Sequence, residues 1–310
     1  MRAPLYERVA LIGLGLIASS IYWAVQRKPG LAGEVAGYAK SAATRDTARR
    51  IGLCDTICDS IAEAVEGADL VILCVPVGAM AEVAKEIAPY LKQGATLSDV
   101  GSVKRDVLER VGPLVPSGVH FIPAHPIAGT ENSGPESGFA ELFDNKWLLL
   151  VPMEGTAPKP LADLRAFWEG LGSFVDEMEA DHHDLVLSVT SHAPHLIAYT
   201  MVGVADDLRR VTDSEVIKYS AAGFRDFTRI AASDPTMWRD VFLTNKDATL
   251  EILGRFTEEL FALQRAIRTG DGEHLHAYFT RTRAIRKGIV EAGQDTDAPD
   301  FGRIKTGKTS

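Results

Sequence analysis

A glycine-rich turn near the start of the chain constrains the fold more than any other feature. Residues 8–13 (RVALIG) form a short apolar run that ends in glycine, and residues 14–25 have the length of a helix. The turn itself, residues 13–18 (GLGLIA), matches G-x-G-x-x-A between a predicted strand and a predicted helix. This context predicts the first βαβ unit of a dinucleotide-binding domain.

Each small residue of this turn has a physical role in binding a pyrophosphate. Gly13 permits a tight turn, Gly15 lets the backbone approach the phosphates, and Ala18 allows close contact between helix and sheet. The phosphates would lie at the helix N-terminus, where N–H groups and the helix dipole favour an anion. The predicted cofactor contacts in the turn are Gly13, Gly15, Leu16, Ile17 and Ala18.

The segment after the second predicted strand bears on the choice of dinucleotide. About 20 residues beyond the turn, an NAD site usually places Asp or Glu to bond the ribose 2′-hydroxyl. Residues 37–41 read GYAKS and contain no acid. Lys40, Ser41 and Arg45 could accept the 2′-phosphate of NADP, or they could be solvated residues at a helix start. The sequence therefore predicts NAD or NADP without deciding between them.

Apolar runs alternate with helical patterns through the first half of the chain, which predicts a parallel sheet covered by helices on both faces. After about residue 178 no strand-like run recurs, and helical patterns dominate over 181–210 and 235–268. Long amphipathic helices usually bury an apolar stripe against a partner, which here could be another subunit. We expect an α/β chain: a Rossmann-type dinucleotide-binding domain (1–178), an all-α substrate and dimerisation domain (179–293) and a disordered tail (294–310).

Composition limits the possible partners and the compartment. Lys plus Arg number 33 against 42 for Asp plus Glu, a net charge of −9 that opposes binding to nucleic acid or anionic membranes. The three cysteines, an odd number without zinc-ligand spacing, predict free thiols in a reducing, cytoplasmic environment. The uncharged run at 9–25 is shorter than the roughly 20 residues of a spanning helix. We expect a small-molecule substrate, a homodimer, and no nucleic-acid or membrane partner.

Residues that follow three of the predicted strands are candidates for ligand binding. In open α/β sheets ligands bind beyond the carboxyl ends of the strands. Ser102 and His125 emerge there, and a hydroxyl and an imidazole suit proton handling. Val75 and Pro76, which follow another strand, are candidate cofactor contacts together with Ser102.

Several motifs in a fixed order resemble the prephenate/arogenate (cyclohexadienyl) dehydrogenase family of tyrosine biosynthesis. The resemblance runs from about residue 9 to about residue 285. The motifs are DVGSVK (99–104), HPIAGTE (125–131), SHAPH (191–195), GFRDFTRIA (223–231), SDP (233–235) and MWRD (237–240).

This resemblance implies oxidative decarboxylation of prephenate, arogenate or both, with hydride transfer to NAD or NADP and no metal. It implies that His125 accepts the proton of the ring hydroxyl and that Ser102 orients the His125 ring. Arg229 would bind a substrate carboxylate through its bidentate fork. A charged gate over the pocket would consist of Glu131, Asp226 and Arg225. The remaining implied substrate contacts are Thr130, Ser191, His192, His195 and Trp238.

Other interpretations of the same residues stay open. A β-hydroxyacid dehydrogenase would use a lysine of the helical domain, for which Lys218 and Lys246 are the candidates. A non-catalytic dinucleotide sensor would bind the cofactor and leave His125 dispensable. His192 and His195, with the neighbouring residues 182 and 183, could ligate zinc; Arg229 could pair with Asp226; and Trp238 could be a core residue.

Overall fold

The structure of the chain is a computed structural model that describes residues 3–209 and 222–291. It divides into two compact units, the first ending at Ile252 and the second beginning at Leu253. The candidate Lys218 and the predicted tail 294–310 lie outside the described residues.

Six parallel strands form the main sheet of the first unit, which confirms the predicted Rossmann-type architecture. Their order is β3-β2-β1-β4-β5-β6, so the chain direction across the sheet reverses between β1 and β4. This is the place where such sheets bind dinucleotides. The strands are β1 (Tyr6–Ile12), β2 (Ala32–Tyr38), β3 (Thr56–Ile57), β4 (Leu70–Leu73), β5 (Thr96–Asp99) and β6 (His120–Phe121).

A second, three-stranded sheet follows in the chain. It contains β7 (Ala124–Pro126), β8 (Trp147–Leu150) and β9 (Phe174–Glu177), with β7 antiparallel to β8 and β8 parallel to β9. The apolar run at 120–124, which by itself predicts a single strand, contributes to two strands, β6 and β7. Pro123, which has no N–H for a sheet ladder, separates them. As a result His125 lies in the second sheet, opposite Leu149.

Helices cover both faces of the main sheet. Along β1, Leu11 belongs to one buried apolar cluster and Ile12 to the other, because successive side chains of a strand point to opposite faces. The first cluster also holds Phe143 and Trp168, and the second holds Trp238 from the helical half. The helices are α1 (Leu16–Gln26), α2 (Ala42–Ile51), α3 (Ile61–Val65), α4 (Val77–Ile87), α5 (Arg105–Val111), α6 (Pro158–Gly170), α7 (Ala180–Leu187), α8 (Ala193–Arg209), α9 (Ala222–Thr228), α10 (Pro235–Thr244), α11 (Lys246–Thr269) and α12 (Gly272–Glu291).

Two long segments of the chain are apolar. The uncharged run at 9–25 is β1 followed by α1, as predicted. The helical stretch Ala180–Asp207 is long and apolar enough to cross a membrane by length and composition alone. However, His183, Asp184 and His192 on this stretch are buried and bond to neighbouring side chains and backbone of the first unit. Buried polar groups paired in this way are typical of a helix face that packs against the rest of a protein.

The second unit, taken by itself, exposes much apolar surface. Its described part consists of the later portion of α11 and of α12. In the single chain six large apolar side chains of this part are exposed. They are Phe256, Leu260, Phe261, Ile267, Phe279 and Ile285.

Candidate active site

The turn after β1 has the geometry that a bound pyrophosphate requires. Gly13 has a φ of +99°, and a Cβ atom there would lie 2.6 Å from the carbonyl oxygen of Cys74. Gly15 precedes α1, no side chain caps the helix, and a Cβ at Gly15 would meet nothing within 4 Å. The first N–H groups of α1 therefore face open space, while Ala18 is fully buried against the sheet. These residues fit a dinucleotide.

The residues beyond β2 are partly committed to the local fold. Ser41 is the N-cap of α2 and accepts a hydrogen bond from the backbone N–H of Thr44. Arg45 donates from Nη1 to the carbonyl oxygens of Ala39 (2.7 Å) and Lys40 (3.1 Å). The Lys40 side chain is exposed. Nε of Arg45 also lies 3.5 Å from Oδ1 of Asp59. A 2′-phosphate would thus meet Lys40 and would compete with Asp59 for Arg45.

The remaining predicted cofactor contacts lie at the same edge of the sheet. The N–H of Cys74 donates to the carbonyl of Ile12 at the end of β1, and Val75 and Pro76 follow it. Val75 is half-buried, and Pro76 is exposed at the start of α4. Ser102, half-buried, follows β5.

A buried ion pair joins the end of β5 to β7. The Nζ of Lys104 pairs with Asp99 and also donates to the carbonyl oxygen of Ala124 at 2.8 Å. Both charged side chains are fully buried. Burial lowers the pKa of Lys104, and the Asp99 carboxylate opposes that shift. Because Ala124 directly precedes His125, this pair fixes the backbone that carries the predicted proton acceptor.

His125 is buried, with 8% of its surface exposed. Its Nδ1 atom lies 2.9 Å from Nε2 of His183. Burial holds the pKa of His125 well below its ordinary value, and the nearby His183, Lys104 and His192 lower it further. A histidine in this environment is neutral near pH 7 and has a lone pair available to accept a proton.

His183 and Asp184 are site residues that the sequence did not assign. Nδ1 of His183 lies 2.8 Å from Oδ1 of Asp184. The Asp184 carboxylate also accepts hydrogen bonds from the backbone N–H groups of Lys104 (2.8 Å) and Arg105 (3.0 Å), where α5 begins. The carboxylate therefore caps α5 and holds the His183 ring at the same time.

His192 is fully buried rather than exposed along a pocket wall. Its Nδ1 lies 3.0 Å from Nδ2 of Asn245, which also donates to the hydroxyl of Ser188. Burial lowers the pKa of His192 to about 4. Residues Ser188–His192 form a π-helical turn, which is wider than an α-helical turn. Pro194 follows shortly after it, and such a bulge accommodates the N–H group that proline lacks.

His195 and Trp238 form a stacked pair. Their ring centroids are 3.7 Å apart and their planes differ by 25°. Nδ1 of His195 donates to the carbonyl oxygen of Ser191 at 2.9 Å, so Nε2 is the ring nitrogen left as an acceptor. Burial lowers the pKa of His195, and the positive charge of Arg229 lowers it further.

Arg229 meets the loop after β7. Nη1 of Arg229 lies 3.0 Å from Oε2 of Glu131, so its described ion-pair partner is Glu131 rather than the Asp226 considered from the sequence. Asp226 is half-buried and Arg225 is exposed on the same helix, α9. Thr130, also exposed, accepts a hydrogen bond from the backbone N–H of Asn132.

Among the residues that the sequence singled out, the structure brings Arg229 to Glu131 and His195 to Trp238, with Arg229 close enough to His195 to lower its pKa. The carbonyl group of Ser102 lies beside His192. The ring partner that the structure gives His125 is His183, so orientation of His125 by Ser102 stays a prediction.

The other chemistries considered from the sequence find less support. In the described ranges, 3–209 and 222–291, no group of three or more His, Cys, Asp or Glu side chains could hold a metal ion. His182 points to solvent, whereas His183 and His192 bond to Asp184 and Asn245. Lys246, the lysine candidate that the structure describes, is exposed at the start of α11.

A spacing signal could have revealed Asp184, one of the two residues that the sequence did not assign. Asp184, Ser188 and His192 recur every four positions, which places them on one helix face. A carboxylate, a hydroxyl and an imidazole on one face of an apolar helix indicate a buried polar network.

Family models and known proteins match nearly the whole chain. The model described as "Prephenate dehydrogenase, nucleotide-binding domain" matches residues 24–177, and "Prephenate dehydrogenase, dimerization domain" matches residues 179–281. The chain is 42% identical to the cyclohexadienyl dehydrogenase of Zymomonas mobilis, over 91% of this chain and 95% of that protein. It is 32% identical to the prephenate dehydrogenase of Bacillus subtilis, over 91% of this chain and 76% of that protein.

A solved structure shares the fold at high similarity. The prephenate dehydrogenase of Aquifex aeolicus, in complex with hydroxyphenyl propionate and NAD+, aligns with a TM-score of 0.83 and 33% identity. The alignment covers 91% of this chain and 98% of that chain. A 3-hydroxyisobutyrate dehydrogenase of Mycobacterium tuberculosis aligns with a TM-score of 0.55 at 14% identity, which is a likeness of fold alone.

Proposed function

Because this chain belongs to the prephenate dehydrogenase family of NAD-dependent enzymes in tyrosine biosynthesis, we propose that it oxidatively decarboxylates prephenate, arogenate or both. The observation that carries the proposal is the buried, neutral His125, which contacts of Ala124 with Asp99 and Lys104 hold beside the carboxyl end of β5. A neutral imidazole there is the proton acceptor that oxidation of a ring hydroxyl needs.

His125 handles the proton of the reaction. Nε2 would take the proton from the ring hydroxyl while the carbon that bears it gives up its hydrogen as hydride, which the bound dinucleotide would accept, so that the carbon–oxygen bond gains carbonyl character. The carboxylate on the ring then leaves as CO₂, and the electrons of the broken carbon–carbon bond complete the aromatic ring. Nε2 returns its proton to the same oxygen, which becomes the phenol hydroxyl. The step consumes no net proton, so His125 ends as it began.

Arg229 supplies the cation for a substrate carboxylate. Its guanidinium is half-exposed and its described partner is the carboxylate of Glu131, for which a substrate carboxylate is a chemical substitute. The stacked His195–Trp238 pair would form an apolar wall beside the ring. Arg225 and Asp226 on α9, with Glu131, would gate the entrance, and Thr130 and Ser191 would contact the substrate at its rim.

The nicotinamide dinucleotide supplies the hydride acceptor when it is bound. Gly13 and Gly15 shape the turn for its pyrophosphate, and the N-terminus of α1 stabilises the negative charge. We propose that NADP is accepted as well as NAD, since residues 37–41 carry no acid and Lys40 is exposed.

An assay that crosses both substrates with both dinucleotides tests the proposal directly. Formation of the reduced cofactor is followed by absorbance. Turnover with at least one combination is expected, and an absence of turnover with all four would contradict the proposal. Cofactor binding without turnover would instead favour a dinucleotide sensor.

Lys246→Ala provides the control for the β-hydroxyacid dehydrogenase alternative. Lys246 is exposed, and we expect its replacement to leave turnover unchanged. A loss of turnover in this variant would favour a lysine acid/base and contradict the role given to His125.

We further propose that the protein acts as a cytoplasmic homodimer. The exposed apolar side chains of α11 and α12 belong to the region that matches the dimerization domain. A second copy could cover them. Light scattering on the purified protein should give twice the mass of 33.5 kDa.

A further inference from the structure

We propose that His183, oriented by Asp184, is a positioning residue that fixes the tautomer of His125. The inference rests on the proposed function, since it concerns the atom through which His125 would act. The three side chains form a buried chain with contacts of 2.8 Å and 2.9 Å.

Asp184 determines which atoms donate and which accept in the hydrogen-bonded series Asp184–His183–His125. Its two carboxylate oxygens both accept backbone hydrogen bonds at the start of α5, Oδ1 from the N–H of Lys104 and Oδ2 from the N–H of Arg105. An ionised carboxylate can only accept hydrogen bonds. Nδ1 of His183, which faces Oδ1 of Asp184, must therefore carry a hydrogen.

The hydrogen on Nδ1 of His183 determines which nitrogen of His125 carries its hydrogen. A neutral histidine carries one N–H, so Nε2 of His183 is an acceptor. Nδ1 of His125, which faces it at 2.9 Å, must then be the donor. Nε2 of His125 keeps its lone pair, which is the form needed to receive a hydroxyl proton.

The opposite arrangement is disfavoured by the same contacts. If His183 carried its hydrogen on Nε2, the Nδ1 lone pair would face the Asp184 carboxylate inside a fully buried site. Two facing acceptors without water cost the desolvation of both groups. Burial lowers the pKa of His183, and the hydrogen bond to Asp184 opposes this shift, which keeps the ring neutral but firmly held.

The hydrogen bond from His125 to His183 is also compatible with a protonated His125. When Nε2 gains a proton, Nδ1 already donates to His183, so no ring has to rotate. Burial, followed by the neighbouring His183 and Lys104, disfavours a positive imidazolium at His125. His192, the other neighbour, is itself neutral.

Two substitutions at position 183 separate positioning from packing. His183→Phe keeps a ring but removes the acceptor, whereas the side-chain oxygen of His183→Gln can still accept from His125. We expect kcat to fall about tenfold or more in H183F and to recover in part in H183Q, with KM nearly unchanged in both. His182→Phe, at the adjacent exposed position, should behave as the wild type.

Nitrogen-15 NMR of the wild-type histidines gives a readout that does not need activity. The proposal expects the hydrogen of neutral His125 on Nδ1, and a mixture of tautomers in H183F. A hydrogen on Nε2 in the wild type, or a folded H183F with wild-type kcat, would overturn it. If H183F does not fold, the wild-type spectrum and H183Q decide the question. A wild type without turnover but with Nδ1–H would refute the proposed function alone.

Discussion

Nη1 of Arg229 lies 3.0 Å from Oε2 of Glu131, although 98 positions separate the two residues in the chain. The two side chains are 47% and 35% exposed. An ion pair this exposed contributes about 1 kcal/mol or less to stability, because water screens it. Arg229 can therefore exchange Glu131 for a substrate carboxylate at little cost.

Replacing Arg229 should weaken substrate binding more than catalysis. Arg229→Ala removes a charge-assisted hydrogen bond to the substrate, for which we expect KM to rise about 10- to 100-fold with a smaller effect on kcat. Steady-state kinetics with saturating dinucleotide measures both constants. Arg229→Lys should restore only part of the affinity, since lysine lacks the bidentate fork.

A matched pair elsewhere in the first unit controls for charge and for the loss of an ion pair. Arg27 and Glu141 form a similarly exposed contact of 2.6 Å. Arg27→Ala should leave KM at the wild-type value. Equal increases of KM in R27A and R229A would show that the effect is one of net charge rather than of a carboxylate site.

Replacing His125 should abolish turnover and spare binding. His125→Asn retains an N–H that can donate to His183 but has no basic nitrogen, so kcat should fall about 100- to 10,000-fold. Substrate affinity, measured by calorimetry with bound dinucleotide, should change little. Wild-type kcat in a folded H125N protein would show that another residue takes the proton.

Substitutions of the two glycines of the turn should have different effects, one on stability and the other on NAD binding. Gly13→Ala places a methyl group 2.6 Å from the Cys74 carbonyl at a φ of +99°, so it should lower the melting temperature. Gly15→Ala has free space and a φ of −98°, so the fold should keep its melting temperature. The added methyl group would project into the space for the pyrophosphate, and the Kd for NAD should rise about tenfold or more.

Calorimetric melting and fluorescence titration with NAD separate these outcomes. A destabilised G15A, or a stable G13A with unchanged affinity, would contradict the assignment of the turn.

The sequence predicted the main sheet because its signals are local. Continuous apolar strands and the glycine pattern at residues 13–18 are each set by a few neighbouring residues. The second sheet was not predicted, since Phe174–Glu177 is largely exposed and carries two acids. Its pairing with β8 depends on contacts between distant segments.

Contacts between distant residues of the candidate site could not be predicted from the sequence either. The resemblance to a family pointed to His125 and Arg229, whose motifs are contiguous in the chain. The contact of His125 with His183 spans 58 positions, and that of Asp184 with Lys104 spans 80. No local pattern contains such pairings, so only the folded chain assigns partners to these groups.

His192 should make the stability of the protein depend on pH below neutrality. Burial lowers its pKa to about 4 from an ordinary value of 6.5, so the folded state binds this proton less tightly than the unfolded state. The stabilising contribution is complete above pH 6.5 and is lost as the pH falls from 6.5 towards 4. The shift corresponds to about 3 kcal/mol over that range.

Urea unfolding between pH 7.5 and pH 4 measures this contribution, at about half-unit intervals. His192→Asn keeps an acceptor for Asn245 near the position of Nδ1 but has no group that titrates. Its free energy of unfolding should therefore fall less steeply with acid than that of the wild type. The difference should approach about 3 kcal/mol by pH 4, whereas the exposed His182→Asn should follow the wild-type curve.

Part of the slope will persist in H192N, because burial also lowers the pKa values of His125 and His183. Parallel curves for H192N and the wild type would mean that His192 binds its proton equally well in the folded and unfolded states, and would contradict its role as a buried neutral acceptor.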